Sequence, residues 1–206
     1  EDKYFDWPNT GWSSPASVER DRVYTVTNRG EVVCLDAGGL TDGNEGPFRE
    51  EEAHLTPRGQ PEPGLGPLDA DIVWLTDLPT AAGIWPHDGA HSSILIHGDH
   101  LYLNSGSGVD NTHKVIRTPD APALLVLDKR TGRIVARDDE HILPDTFHCN
   151  WSPPSLVRVR EREFIFFCGG NGIVHAFEPV PGGTPEGAIR RLKSVWHFDF
   201  DPEAPK

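Results

Sequence analysis

Histidine is the side chain with the most chemistry to offer in this sequence, and its placement has a pattern. His87 and His91 lie in the stretch Ala81 to His91, and His148 lies in the stretch His141 to Trp151. Each stretch ends where a short run with apolar residues begins, SSILIH (Ser92 to His97) after the first and SPPSLV (Ser152 to Val157) after the second. The three imidazoles thus hold comparable places ahead of successive elements. If those elements are strands set around one axis, the rings meet at one end of it, and zinc or copper suits such nitrogen ligands. The competing reading has each histidine hydrogen-bonded within its own loop. Asp110, beside Asn111, offers oxygen ligands nearby. Calcium takes six to eight of these, and the alternative is an Asx turn that only shapes the loop. His113 reads as a loop residue, and a reactive thiol or soft metal ligand is only the minor reading of Cys149 beside His148.

The elements that must position these groups are strands. ALLVLDKRTGRIVAR (Ala123 to Arg137) has two apolar runs joined by Asp128 to Gly132. Asp128 can accept from the turn's N–H groups and Gly132 can take a positive φ, so the stretch predicts a β-hairpin. The surrounding pattern recurs. SSPASVERDRVYTVTNRGEVVCLDAGG, SSILIHGDHLYLNSGSG with ALLVLD, and SPPSLVRVREREFIFFCGGNGIVHAFEP each alternate short strands with polar turns. Each then continues to one more strand, DIVWLTDL, GRIVARDD or KSVWHFDFD. Four short antiparallel strands per unit, repeated, predict an all-β fold, a β-propeller of four-stranded antiparallel blades with about three blades present. The units run approximately 13–78, 92–139 and 152–201, all within one domain spanning 1–206. The stretches Ala37 to Ala70 and Ser105 to Pro122 are excursions from them.

LDKRTGRIVA resembles the pyrroloquinoline-quinone-like (PQQ-like) propeller repeat, in which a strand ends in Asp, a Thr-Gly turn follows, and the next strand carries tryptophan. Ala136 stands at the tryptophan place here, while Trp74 and Trp196 hold it in the neighbouring units. The run from Gly83 to Glu140, with CNWSPPSLV, FFCGGNGIVHAFEP and VWHFDFD, is similar to propeller proteins common in planctomycetes and related bacteria. The resemblance covers about Ser13 to Asp201 and implies a periplasmic or otherwise extracytoplasmic protein. It implies two functions. The first is a non-catalytic scaffold that binds or assembles other proteins, with no cofactor and no catalytic residue. The alternative is part of a quinoprotein dehydrogenase that oxidises alcohols or sugars with PQQ and calcium. That enzyme needs a calcium cage, an aspartate base and a stacking partner for the quinone. No adjacent Cys-Cys pair of the kind found in many such alcohol dehydrogenases is present.

Charge and composition narrow the partners. The net charge of −13 leaves no basic surface for phosphate backbones, so no nucleic acid is expected. No stretch is long and apolar enough for a transmembrane helix. The three cysteines, Cys34, Cys149 and Cys168, lack any C-x-x-C spacing, and Cys34 and Cys168 read as buried thiols within strands. Trp74 and Trp196 are expected to be buried between blades. Trp7, Trp12, Trp85 and Trp151 lie in or beside loops, where they suit sugar binding or inter-blade packing equally. A propeller closes with roughly four to eight blades. The chain, which contains no methionine, is therefore expected to be a piece of a larger propeller, completed by further blades or by other subunits.

Overall fold

The hairpin at 124–137 forms as its turn chemistry demands. Strand Leu124–Asp128 and strand Ile134–Arg137 pair antiparallel. Asp128 Oδ1 accepts from the backbone N–H of Arg130 at 2.9 Å and of Thr131 at 3.1 Å, and Gly132 takes φ +71°. A Cβ at Gly132 would enter the ring of Trp74, so this glycine serves both the turn and a close approach. The computed structural model describes residues 11–204 apart from 13, 88–91, 147, 184 and 186. Trp7 and His91 therefore lie outside the described residues.

The hairpin belongs to the middle of three sheets. In chain order the first sheet contains β1 (Ser17–Glu19), β2 (Arg22–Val26), β3 (Glu31–Asp36) and β4 (Ile72–Asp77). The second contains β5 (Leu95–His97), β6 (His100–Asn104), β7 (Leu124–Asp128) and β8 (Ile134–Arg137). The third contains β9 (Ser155–Val159), β10 (Arg162–Cys168) and β11 (Ile173–Phe177). The chain then sends β12 (Arg190–Arg191) back to pair in parallel with β8, and completes the third sheet with β13 (Ser194–Asp199). All other pairings are antiparallel between neighbours in each four-strand order. The excursions between strands include two five-residue helices, α1 (Glu51–Leu55) and α2 (Leu78–Ala82). No helix of the described residues is long and apolar enough to cross a membrane.

The same tight turn opens every sheet. Glu19 pairs with Arg22, His97 with His100 and Val159 with Arg162, each across a two-residue loop. The first loop residue has positive φ in all three: Arg20 at 58°, Gly98 at 59° and Arg160 at 56°. Two-residue hairpins favour such conformations because they match the twist of the flanking strands.

Burial explains the apolar patterning. Leu101, Leu103, Leu125 and Leu127 of the middle sheet pack with Tyr24, Val32, Cys34 and Trp74 of the first. Their alternates Tyr102, Leu124 and Val126 pack with Ile165, Phe167 and Phe177 of the third. Successive side chains of a strand point to opposite faces, so a sheet covered on both sides needs apolar residues at every position. That is why LLVL is an unbroken run. Burial of Tyr24 and Cys34 pushes the phenol's pKa up and the thiol's up to about 12.

One row of the third sheet departs from expectation. Tyr24–Cys34–Trp74, Tyr102–Val126–Ala136 and Phe166–Ala176–Trp196 are rows at matching register in the three sheets. The first two are covered, with Trp74 only 3% exposed, but Trp196 is 43% exposed. Trp196 was expected to be buried between sheets. Its row, with Phe164 and Phe198, lies on the face alternate to Ile165 and Phe167, and those two residues meet the middle sheet. Cys168 is likewise exposed rather than buried, whereas Cys34 and Cys149 are buried.

Candidate functional site

Three connecting segments are laced together at one place by their backbones. His87 N–H donates to the Gly106 carbonyl at 3.0 Å and Gly108 N–H to the Trp85 carbonyl at 3.1 Å. On the other side of the same segment, Val109 N–H donates to the His148 carbonyl at 2.8 Å, and Gly108 bridges Cys149. Segment 106–109 is thus the centre of a short ladder between 85–87 and 148–149. Gly108 permits it, because a Cβ there would overlap the His148 carbonyl and the Cys149 side chain.

A second loop projects from this ladder. Val109 and Ile116 bridge, and Asp110 N–H donates to the Val115 carbonyl at 2.8 Å, closing residues 110–115. Asp110 Oδ1 accepts from Thr112 N–H at 3.1 Å and Thr112 Oγ1 at 2.6 Å, an Asx-type turn. The Thr112 hydroxyl bond in particular holds the Asp110 pKa below the usual carboxylate range. The Asp110 carbonyl accepts from His113 N–H at 2.9 Å, and His113 itself has φ 58°.

The result is a cluster of imidazoles. His87 Nε2 lies 3.2 Å from His148 Nε2, and His113 Nδ1 lies 3.1 Å from that same nitrogen. The nitrogens that the three rings offer all lie within 4.8 Å of one another. The His87 ring stands nearly perpendicular to the other two, at 86° to His148 and 81° to His113. Behind His148, the Sγ of Cys149 is 3.7 Å from Nδ1, and the exposed Trp151 stacks on the ring at 5.0 Å. His87 is buried, His148 half-buried and His113 exposed, so the cluster reaches the surface. Nearby, the Arg117 guanidinium lies 4.3 Å over Trp85 and its Nε is 3.7 Å from Asp110 Oδ2.

Of the residues expected to bind metal, His87 and His148 come together. Asp110 is not a member of the cluster: its carboxylate shapes the loop that carries His113 and faces Arg117. His91 lies outside the described residues. His113, read as a loop residue, is the member that sequence reasoning missed. The signal was present in the Asx turn three residues before it, which fixes where the loop points.

A second feature with functional content is the way adjoining sheets dock. Trp74 Nε1 donates to the Lys129 carbonyl at 3.2 Å and Thr76 Oγ1 to the Gly132 carbonyl at 2.8 Å, both on the turn after the third strand of the second sheet. In the same manner the Tyr102 hydroxyl accepts from Val180 N–H at 2.7 Å, just after the third strand of the third sheet.

No protein-family model and no curated protein matches this sequence. Among solved structures it is similar to BamB from Moraxella catarrhalis, with 13% identity over 91% of this chain and 36% of that one, at a TM-score of 0.38. It is also similar to the quinohemoprotein alcohol dehydrogenase from Comamonas testosteroni, with 12% identity over 87% of this chain and 37% of that one, at a TM-score of 0.35. The chain spans little more than a third of the length of either structure.

Proposed function

We propose that this chain forms three blades of a PQQ-like β-propeller that works as a periplasmic or otherwise extracytoplasmic platform for binding or assembling other proteins. The observation that carries the reading is the row that recurs at matching register in the three sheets, Tyr24–Cys34–Trp74, Tyr102–Val126–Ala136 and Phe166–Ala176–Trp196. Its first two copies are covered by the turn that follows the third strand of the next sheet, and its third copy, with Trp196, is open. By the same geometry a fourth antiparallel sheet seats on Phe164, Phe166, Trp196 and Phe198. It comes from other subunits or from further blades of the same propeller. An open apolar sheet face of this kind is a binding surface in solution and an aggregation liability when bare.

The alternative, a PQQ- and calcium-dependent dehydrogenase, requires oxygen ligands for calcium. The described residues around Asp110 do not fit it. Asp110 Oδ1 is engaged by Thr112, its Oδ2 faces the Arg117 cation, and the residues gathered beside it are imidazoles, which calcium does not favour.

Sedimentation of the 206-residue chain over a range of concentrations tests the platform reading. The chain is expected to self-associate through the open face, with Cys168 shielded from iodoacetamide in the associated state, and Trp196→Lys is expected to yield monomers. A chain that is monomeric, cooperatively folded and fully reactive at Cys168 at every concentration would overturn the reading.

A further inference from the structure

We propose that His87, His113 and His148 form a site for one divalent transition-metal ion of the zinc class, bound through His87 Nε2, His113 Nδ1 and His148 Nε2. The inference is independent of the platform reading, since it rests on loops and not on the open sheet face.

Distances carry it first. A tetrahedral ion held by imidazole nitrogens at 2.0–2.1 Å places those nitrogens about 3.3 Å from one another. Two of the three separations, 3.2 and 3.1 Å, already have that value, and the third is within 4.8 Å. Closing it requires the His113 nitrogen to approach His87, and the His113 ring is exposed.

Valence carries it second. A ring nitrogen has a single in-plane position, occupied either by a proton or by a lone pair. His148 Nε2 faces two other ring nitrogens at once, so a hydrogen bond along one line leaves the other contact badly aimed. An ion between the rings uses one lone pair from each. The third support comes from behind His148, where Nδ1 lies 3.7 Å from Cys149 Sγ, so that a proton held on Nδ1 toward the sulfur leaves Nε2 as the lone-pair nitrogen that faces the cluster. Metal-bound histidines are commonly oriented by such a partner on the far nitrogen. Cys149 is therefore a positioning residue here, not a ligand.

The chemistry selects the ion. Three imidazoles suit zinc, copper or nickel over calcium or magnesium, and three protein ligands leave a fourth position for water. The ion would tie together the segment entering the second sheet, the 110–115 loop and the segment entering the third, so binding should raise the stability of the whole chain.

Cobalt(II) titration of the metal-free chain, followed by visible absorption, tests the site. The expected result is one ion per chain with a tetrahedral-type spectrum, displaced by zinc, and a rise in Tm on zinc addition. His113→Ala lies on an exposed loop and leaves the core intact; it should weaken binding at least ~100-fold, while Cys149→Ser should weaken it ~10-fold. His54→Ala, on α1 and outside the cluster, should bind as the parent does. Dissociation constants of about 1 mM or weaker in the parent chain, or unchanged affinity in His113→Ala, would overturn the proposal.

Discussion

Trp74 and Trp196 hold the same register position in two sheets, yet their replacement by alanine should have very different costs. Trp74 is 3% exposed and Trp196 43% exposed. A tryptophan buries roughly 250 Å², so the difference amounts to about 100 Å² of apolar surface, or about 2.5 kcal/mol at 25 cal/mol per Å². Trp74→Ala also strands the Lys129 carbonyl, whose hydrogen bond contributes about 1 kcal/mol, and leaves a cavity beside Gly132. Trp196→Ala leaves open surface instead. Expected losses are about 4–5 kcal/mol for Trp74→Ala and about 1–2 kcal/mol for Trp196→Ala. Urea unfolding followed by far-ultraviolet circular dichroism measures both, because that signal does not depend on the deleted indole. The comparison belongs at protein concentrations low enough to keep the open face unoccupied. Equal costs at the two sites, or a larger cost at Trp196, would refute the docking argument. With the face occupied, the Trp196→Ala cost should rise toward that of Trp74→Ala.

Three further outcomes are expected. Burial pushes the Asp138 carboxyl, which accepts from Leu124 N–H at 2.6 Å, up to about 6, so the folded state holds its proton more tightly than the unfolded chain. The group's contribution of about 3 kcal/mol is complete below pH 4 and is lost as pH rises through 6; Asp138→Asn should flatten that part of the stability profile, and an unchanged slope would count against it. Gly132→Ala combines a positive φ with overlap on the Trp74 ring and should destabilise by about 2–4 kcal/mol in the same urea assay, whereas a neutral effect would mean that the turn does not bear on Trp74. In native protein dilute enough to keep the face open, iodoacetamide should modify Cys168 quickly and leave buried Cys34 and Cys149 slow. All three should react in urea, as mass spectrometry of the products would show.

Most strands and turns were legible in the sequence, because both are written locally. The unbroken apolar run of Leu124–Asp128 marks a strand covered on both faces, and Asp128, Thr131 and Gly132 define their hairpin within five residues. The sequence also placed His87 and His148 at comparable points ahead of successive strands. Tertiary structure alone decided which side chains meet. His87 and His148 are 61 residues apart, and their nitrogens face each other only because segment 106–109 pairs with one connection on each side, at a Gly108 whose missing Cβ lets the chains touch. Such pairings depend on hydrogen bonds between loops with no periodicity to read, so His113 looked like any loop residue and Asp110 like a ligand. The exposure of Trp196 was equally hidden. Its strand reads like that of Trp74, and the difference lies in whether another sheet packs on the face, a property of the neighbours and not of the residue.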